Sequence, residues 1–285
     1  MMKTVKLYAN AKINLFLDIE SRREDGYHNI NSLMQSVDLY DIVTVSYEES
    51  DSKSIAITVN DPKIPANEKN IAYKAADKFL DSGRVMIDIQ KNIPSPAGLA
   101  GGSADAAAVI YALNSFGCIN KTEDEILKIS ASIGADVPFC LFGGTKKISG
   151  IGDVFESVPG ISQMHLVIAL DGEGVSTPAA YGLLDEKYGN FVSHSVKPFD
   201  YESFSLDSVY NIFEDVVLDL RPKAKNLKKK MYDLGAIVSM MSGSGPAVIG
   251  IFDSEASARS AAESIKSSGA FAVACKTVKR GIVLA

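Results

Sequence analysis

The sequence predicts an α+β fold organised as two domains, and three observations indicate this class. The chain has 285 residues, which is more than one domain usually holds. Strand-like and helix-like segments occur together in each half of the chain. A stretch rich in Gly, Ser and Pro surrounds Gly160, and we place the domain boundary there. The predicted domains are therefore 1–160 and 161–285.

In the first half, apolar and polar residues alternate from Lys12 to Ile19, which is the period of a half-buried strand. We expect Lys12 to open that strand. Turn residues at 51–53 separate the strand candidates at 42–47 and 54–59, so the sheet should be mixed or antiparallel. The other expected elements are strands at 42–47, 54–59 and 85–89, a helix from Asn70 to Gly83, a helix over 103–116, and a helix that starts at the capping box of Thr122 and Glu125 and ends at Gly134.

The second half alternates between the two kinds of element, which predicts a second α+β unit. The expected order is a strand at 164–170, a loop at 171–174, a helix from Pro222, a strand, a Gly-rich turn, a strand at 248–252, a helix at 254–268 and a strand at 271–277.

Composition and charge restrict the kind of partner. The net charge is −6, so no overall basic field exists to hold nucleic acid or an anionic membrane, and any phosphate must be bound locally. The three cysteines lie far apart and have no zinc spacing, and no apolar run approaches a membrane span. We expect a cytoplasmic protein, a monomer or weak homodimer, that acts on small molecules.

A glycine-rich segment between a strand and a helix is the clearest functional signal. Glycines let several backbone N–H groups approach a triphosphate, and the helix that follows directs its positive dipole end at the loop. The bland alternative is a glycine-rich connection with a Ser N-cap. The spacing fits neither a Walker A loop nor the dinucleotide fingerprint. The predicted phosphate-binding residues are Pro94, Ser95, Pro96, Ala97, Gly98, Leu99, Ala100, Gly101, Gly102, Ser103, Ala104 and Asp105.

This segment resembles the second motif of the GHMP kinases, the superfamily of galactokinase, homoserine kinase and mevalonate kinase. Three further segments, at 11–15, 134–138 and 241–246, extend the resemblance over nearly the whole chain. Together with Tyr27 and His28 they resemble the branch that phosphorylates the 2-hydroxyl of 4-diphosphocytidyl-2-C-methyl-D-erythritol in the non-mevalonate route to isoprenoid precursors. The resemblance implies an N-terminal domain like ribosomal protein S5, a ferredoxin-like C-terminal domain, and the use of ATP and Mg²⁺.

The resemblance also implies roles for two charged residues. Asp136 would be the catalytic carboxylate that faces the acceptor hydroxyl, and Lys12 would stabilise the ionised acid and the transferring phosphoryl group. Without the resemblance, an Asp after a helix end is usually a capping or loop acid, and a Lys that opens a strand is usually a solvated edge charge.

The remaining implied roles concern binding. Ala100 stands where the family usually has glycine, and we expect it to stiffen the loop. One magnesium contact from Ser103 or Asp105 is possible, but no firm metal ligand is predicted. The implied substrate-binding residues are Asn14, Tyr27, His28, Asp136, Thr177, Tyr181, Ser242, Gly243 and Ser244, and Asn70 and Lys91 would line the adenine pocket.

Two alternative functions remain open at this point. Another GHMP kinase, acting on homoserine or mevalonate, would keep both glycine loops but would have no use for Tyr27 and His28. A non-catalytic sugar or nucleotide sensor on the same fold should lack Lys12 or Asp136, and both are present.

Overall fold

The computed structural model describes residues 1–189 and 199–285, and within them the α+β prediction is confirmed. One sheet has eight strands and the other has four. The eight-stranded sheet contains β1 (Lys3–Arg22), β2 (His28–Glu48), β3 (Ser54–Val59), β4 (Arg84–Gln90), β5 (Thr145–Ser149), β6 (Val154–Ser157), β8 (Tyr210–Asn211) and β12 (Ile282–Leu284), and the four-stranded sheet contains β7 (His165–Leu170), β9 (Val238–Met241), β10 (Val248–Phe252) and β11 (Phe271–Lys276).

The helices cover these sheets and bury their apolar faces. Among the described residues they are α1 (Ile71–Phe79), α2 (Gly101–Ser115), α3 (Glu123–Ile133), α4 (Val137–Phe142), α5 (Thr177–Tyr188), α6 (Glu214–Leu220), α7 (Pro222–Asp233) and α8 (Glu255–Lys266), with a 3₁₀ turn at Leu206–Ser208. None of the helices in this part of the chain is long and apolar enough to cross a membrane.

The long hairpin of β1 and β2 forms the centre of the first sheet. These antiparallel strands pair from Lys3 opposite Tyr47 to Arg22 opposite His28, with a register shift between Asn10 and Ala11. The prediction that Lys12 opens a strand is therefore wrong, because Lys12 lies in the middle of β1. The bulge interrupts the alternation, so the sequence pattern shows only the second part of the strand. Since β1 is buried on both faces from residue 9 to residue 19, Lys12 is buried as well.

Helix α2 packs against β1 and is mostly buried, as its alanine-rich sequence allows. It begins at Gly101, two residues before the predicted start, so Ser103 belongs to the first turn and is not the N-cap. Helix α1 also differs from its prediction. It ends at Phe79, because Leu80 takes extended backbone angles (φ −100°, ψ 121°) and its side chain is buried.

Local signals placed several other elements correctly. The capping box of Thr122 and Glu125 starts α3, and Gly134 caps its end. Strands β3 and β10 have the predicted bounds, and α7 begins at Pro222 as expected. The four-stranded sheet is antiparallel throughout, with the order β11-β7-β10-β9.

The second half of the chain does not stay in its own sheet. Strand β8 pairs in parallel with β1, and β12 pairs antiparallel with β1, both along the edge that β2 leaves free. The boundary at residue 160 thus remains a prediction. The four-stranded sheet lies entirely after it, but β8 and β12 also follow it and belong to the eight-stranded sheet.

Candidate active site

A cleft of about 580 Å³ brings together residues from both halves of the chain. It lies beside β1, the start of α2, the start of α4 and the first turns of α5. Of the residues expected from the sequence, those that line it are Lys12, Asn14, Tyr27, His28, Gly98, Ala100, Asp136, Thr177, Tyr181, Gly243 and Ser244.

The glycine-rich segment from Pro94 to Asp105, called the phosphate loop below, reaches the cleft through Gly98 and Ala100. Both have a positive φ, 77° at Gly98 and 58° at Ala100, so Ala100 holds a left-handed backbone conformation that L-residues rarely adopt. A Cβ on Gly98 would lie 2.5 Å from the carbonyl oxygen of Ser242. Glycine is needed at 98 for space as well as for its dihedral angles.

Gly101 and Gly102 have a different role from the one predicted. They belong to the first turn of α2 and do not have a positive φ. A Cβ at Gly101 would meet Ile93 at 3.0 Å, and one at Gly102 would meet Ile71 at 3.3 Å. These two glycines thus let the helix N-terminus pack closely on its neighbours, while the free N–H groups of the first turn stay at the loop.

The catalytic pair expected from the sequence is present in the cleft. Nζ of Lys12 lies 3.7 Å from Oδ2 of Asp136. The ammonium group donates a hydrogen bond of 2.9 Å to Oδ1 of Asn14, and the backbone N–H of Lys12 donates to the carbonyl of Leu99 in the phosphate loop. Lys12 is 5% exposed. Its side chain is therefore held in one place beside the loop.

Asp136 lies at the N-terminal end of α4, yet its side chain makes no capping hydrogen bond. The carboxylate is 31% exposed and lines the cleft. The short link from Gly134, which ends α3, to Val137, which begins α4, sets its position. A carboxylate that is not used as a cap is available to accept a proton or to orient a hydroxyl.

Asn14 connects the Lys12–Asp136 pair to the core and to the second glycine turn, which is formed by residues 242–246. Its amide Nδ2 donates to Oγ of Ser32 at 2.8 Å, and its backbone N–H donates to Oγ of Ser242 at 3.3 Å. Since its amide oxygen accepts from Lys12, both ends of the side chain amide are engaged. Ser242 itself is fully buried.

The second glycine turn packs on the phosphate loop through backbone contacts. The N–H of Ala247 donates to the carbonyl of Ala97 at 3.3 Å, and a Cβ at Gly243 would meet the Gly98 carbonyl at 3.3 Å. The hydroxyls of Thr177 and Ser244 lie 3.0 Å apart and line the cleft together.

Aromatic rings form one end of the cleft. The rings of His28 and Tyr181 stack with centroids 4.7 Å apart and planes 24° apart, and Tyr181 meets Phe213 edge-on at 5.0 Å. Burial, with a smaller effect of the Asp136 charge, raises the pKa of Tyr181 to about 12, so its phenol stays neutral. Tyr27 is 61% exposed at this end of the cleft. The arrangement offers an open aromatic surface next to a buried one.

Two residues expected at the adenine pocket lie outside this cleft, and their contact with adenine stays a prediction. Asn70 is the N-cap of α1: its side chain accepts from the N–H of Ala72 at 2.9 Å and donates to the carbonyl of Pro65 at 2.8 Å. Lys91 is buried under the phosphate loop, where its ammonium contacts Asp41 and lies 2.6 Å from Oδ2 of Asp105. Neither residue lines the cleft.

Asp105 is buried beside Lys91, and its Oδ1 has no hydrogen-bond partner among the described residues. Burial raises the pKa of this carboxyl well above its usual value, in spite of the opposite effect of Lys91. Burial would lower the pKa of Lys91, but Asp105 and Asp41 outweigh it and raise the pKa. The three side chains form an ion cluster that joins the middle of β2 and the end of β4 to the first turns of α2.

Sequence reasoning missed Asp185, which lines the aromatic end of the cleft. Oδ1 of Asp185 lies 2.7 Å from Nε2 of His28. The only local signal was its spacing of four residues after Tyr181 on α5, which places both side chains on one helix face.

The donor set for a metal is small. The residues that the structure describes contain no group of three or more His, Cys, Asp or Glu side chains that could hold an ion. Magnesium commonly binds through one or two carboxylates together with substrate phosphates and waters. The half-exposed carboxylate of Asp136 beside the phosphate loop fits that mode.

The fold and the cleft together define a kinase for small molecules: a helix N-terminus with a glycine loop for phosphates, a buried ammonium beside a carboxylate, and an aromatic acceptor end. The model of the GHMP kinases N terminal domain matches residues 70–144, and that of the GHMP kinases C terminal region matches residues 199–270. The 4-diphosphocytidyl-2-C-methyl-D-erythritol kinase of Thermoanaerobacter pseudethanolicus is 38% identical over 99% of each chain. The chain belongs to this kinase family within the GHMP kinases.

Solved structures agree on the fold. A crystal structure of 4-(cytidine 5'-diphospho)-2C-methyl-D-erythritol kinase superposes with a TM-score of 0.75 at 29% identity, covering 97% of this chain and 99% of that one. Homoserine kinase from Cytophaga hutchinsonii reaches 0.74 at 20% identity, covering 99% and 97%. The fold is thus shared among kinases with different acceptors, and identification at the level of the acceptor depends on sequence identity.

Proposed function

We propose that the chain transfers the γ-phosphoryl group of ATP to the 2-hydroxyl of 4-diphosphocytidyl-2-C-methyl-D-erythritol, with Asp136 and Lys12 as the catalytic residues. The single observation that carries the proposal is that one cleft holds the Lys12–Asp136 pair, the start of the phosphate loop and the stacked rings of His28 and Tyr181. Family membership supports the choice of acceptor.

The phosphate end uses the backbone more than side chains. The N–H groups in the first turn of α2 and the loop before it face the β- and γ-phosphates, and the helix dipole favours their negative charge. Ala97 and Gly98 are held from the second unit by the turn at 242–246. Because this framework is fixed before ATP binds, little reorganisation is needed when charge develops in the transition state.

Asp136 accepts the proton of the acceptor hydroxyl or holds that hydroxyl in line with the γ-phosphorus. A hydroxyl is a poor nucleophile, and a carboxylate within hydrogen-bond reach improves it. The Lys12 ammonium lies 3.7 Å from the carboxylate and beside the loop, where it stabilises charge on the transferring group. Asn14 holds Lys12 in place and lies in the cleft where the erythritol end would bind.

A magnesium ion bound to the ATP phosphates would supply charge neutralisation at the transferring group. Asp136 and the hydroxyl of Ser103 are the groups we assign to its surroundings. Ser103 belongs to the first turn of α2, and its Oγ lies 3.7 Å from the position of a Cβ on Gly134. Asp105 is not assigned, because it is buried against Lys91.

The pyrimidine of the acceptor would stack at the aromatic end of the cleft. Tyr27 offers an exposed face, and His28 and Tyr181 offer a stacked pair held by Phe213. Stacking of a base on an aromatic side chain stabilises binding by about 1–3 kcal/mol.

The test is an assay of ADP release with Mg²⁺, ATP and one of three acceptors: the cytidine diphosphate substrate, homoserine or mevalonate. We expect turnover with the first alone, and turnover only with homoserine or mevalonate would refute the assignment. Asp136→Asn should lower kcat by about three orders of magnitude or more with little change in ATP affinity. The control Asp124→Asn, at an exposed position in the first turn of α3, should keep wild-type activity.

A further inference from the structure

Two polar side chains outside the cleft bind the backbone of the second glycine turn and of the residue before it. Asn211 ends β8 and is 1% exposed, and Glu214 begins α6 three residues later. Nδ2 of Asn211 donates to the carbonyls of Met241 and Gly243, at 2.7 and 2.8 Å. Oε1 of Glu214 accepts the N–H of Met241 at 2.8 Å. Neither side chain lines the cleft, and the proposed reaction uses neither of them.

We propose that Asn211 and Glu214 are positioning residues that hold the second glycine turn against the phosphate loop, and thereby set the affinity of the cleft for the phosphates of ATP. The proposal rests on the nucleotide part of the proposed function and is independent of the acceptor. It adds two residues that act on ATP through the backbone of the turn.

The side-chain amide of Asn211 is engaged at both ends, and its partners fix its orientation. Met241 and Gly243 offer carbonyls, whereas the N–H of Phe213 donates to Oδ1 of Asn211 at 3.0 Å. Only one assignment of the amide nitrogen and oxygen satisfies all three partners. The two carbonyls belong to the residues on either side of Ser242, so one amide group holds the backbone before and after that residue.

Ser242 is the link between these side chains and the phosphate loop. Its carbonyl oxygen accepts the N–H of Gly245 at 3.0 Å within the turn, and it faces Gly98, where an added Cβ would lie 2.5 Å away. Its Oγ accepts the backbone N–H of Asn14 at 3.3 Å. Because Gly98 lines the cleft and packs on this carbonyl, a displaced turn would also displace the part of the loop that approaches the phosphates.

Glu214 holds the strand end that leads into the turn. While Oε1 accepts from Met241, Oε2 lies 2.6 Å from Nζ of Lys228 on α7, and the side chain of Glu214 is 16% exposed. Both main-chain polar groups of Met241 are thus bound by side chains, its N–H by Glu214 and its carbonyl by Asn211. The backbone orientation is therefore fixed where β9 passes into the turn.

A purely structural role is the main alternative, and Gln35 provides the matched control. Nε2 of Gln35 also donates to two backbone carbonyls, those of Ser36 and Val278, at 2.8 Å each, and its Oε1 accepts from the hydroxyl of Thr145. Gln35 is 2% exposed and does not line the cleft. If Asn211 only stabilised the fold, replacing either amide with Ala would have the same effect on stability and on ATP binding.

Titration of the protein with Mg²⁺ and a non-hydrolysable ATP analogue measures nucleotide affinity without turnover. We expect Asn211→Ala to raise the Kd of the analogue and KM for ATP about tenfold, as for one lost hydrogen bond, with KM for the cytidine substrate unchanged. Gln35→Ala should lower the unfolding temperature to a similar extent but keep the wild-type Kd. A wild-type Kd in Asn211→Ala, or an equal rise in Gln35→Ala, would overturn the proposal.

A second pair of variants makes the test independent of whether Asn211→Ala folds. Glu214→Ala removes both the hydrogen bond to Met241 and the ion pair with Lys228, whereas Lys228→Met removes the ion pair alone. We expect Glu214→Ala to raise the Kd of the analogue about fivefold and Lys228→Met to leave it unchanged. Equal Kd values in these two variants would overturn the proposal.

The wild type separates this proposal from the proposed function. Failure of the wild type to bind the analogue would refute both. Binding of the analogue without turnover of the cytidine substrate would refute the proposed function alone, and the role of Asn211 and Glu214 would still be decided by the Kd values of the variants.

Discussion

Replacing Lys91 with Met should lower the free energy of unfolding by about 3–5 kcal/mol near pH 8, the usual cost of leaving buried charge without its partner. Lys91 is the only cation in contact with two buried carboxylates among the described residues, Asp41 and Asp105. Oδ1 of Asp41 also accepts the N–H groups of Asn92 and Ile93, at 2.6 and 2.8 Å, just before the phosphate loop. Loss of the ammonium should therefore also displace the loop and raise KM for ATP.

The sign of the pH dependence follows from Asp105. Burial raises its pKa, and Lys91 acts in the opposite direction, so the pKa should rise further when Lys91 is removed. When a carboxyl group has a higher pKa in the folded state than in the unfolded state, the folded protein loses stability as the pH rises above the unfolded-state pKa of 3.8. Acidification returns that stability by protonating the carboxyl. The difference between Lys91→Met and the wild type should thus shrink as pH falls from 8 toward 5.

Urea unfolding at several pH values measures both effects. The control is Lys53→Met, which removes a partly exposed ammonium 2.8 Å from Asp77 and should cost no more than about 1 kcal/mol at any pH. A loss below about 1 kcal/mol for Lys91→Met, or a loss that grows on acidification, would refute the reasoning. Wild-type stability combined with weak ATP binding would support the adenine contact expected from the family resemblance.

Further substitutions test the glycine loop and the aromatic end. Gly98→Ala should destabilise the fold by about 2 kcal/mol or more and raise KM for ATP. The reason is that φ at this position is 77° and the added Cβ would lie 2.5 Å from the Ser242 carbonyl oxygen. Urea unfolding and steady-state kinetics with ATP measure the two effects. Ala100→Gly relieves a φ of 58° but frees the unfolded chain, so urea unfolding should show a gain of only about 0–1 kcal/mol. Tyr27→Ala should raise KM for the cytidine substrate about 5- to 150-fold, the equivalent of one base stack, with KM for ATP unchanged in steady-state assays. A wild-type value for Gly98→Ala or Tyr27→Ala, or a clear loss of stability in Ala100→Gly, would contradict the corresponding reasoning.

The fold could be predicted where its signals are local. The capping box at Thr122, the prolines and glycines at turns, and the short strand-like segments of β3 and β10 predicted elements with correct bounds. Non-local features were missed. The bulge between Asn10 and Ala11 hid the first part of β1, and the pairing of β12 with β1 joins residues about 275 positions apart, for which no short pattern exists.

The candidate site shows the same division. Motifs placed Lys12, Asp136 and Tyr181 in one cleft although they lie on three different elements. Motif matching does not reveal what else a side chain contacts, so it gave no sign of the ion cluster of Lys91 with Asp41 and Asp105, while the contact of Lys91 with adenine stays a prediction. Asp185 had no motif at all, because its partner His28 lies 157 positions away in the sequence.

The two ends of the cleft differ in how they are held, and this difference bears on specificity. At the phosphate end, Ala97 and Gly98 pack on Ser242 and Ala247 through backbone atoms, a type of contact that many sequences can provide. A homoserine kinase of only 20% identity therefore shares the fold with a TM-score of 0.74. At the acceptor end, side chains supply the surface, and Tyr27 is exposed. Because side chains supply much of the surface at this end, substitutions there should change the acceptor while phosphate binding is retained.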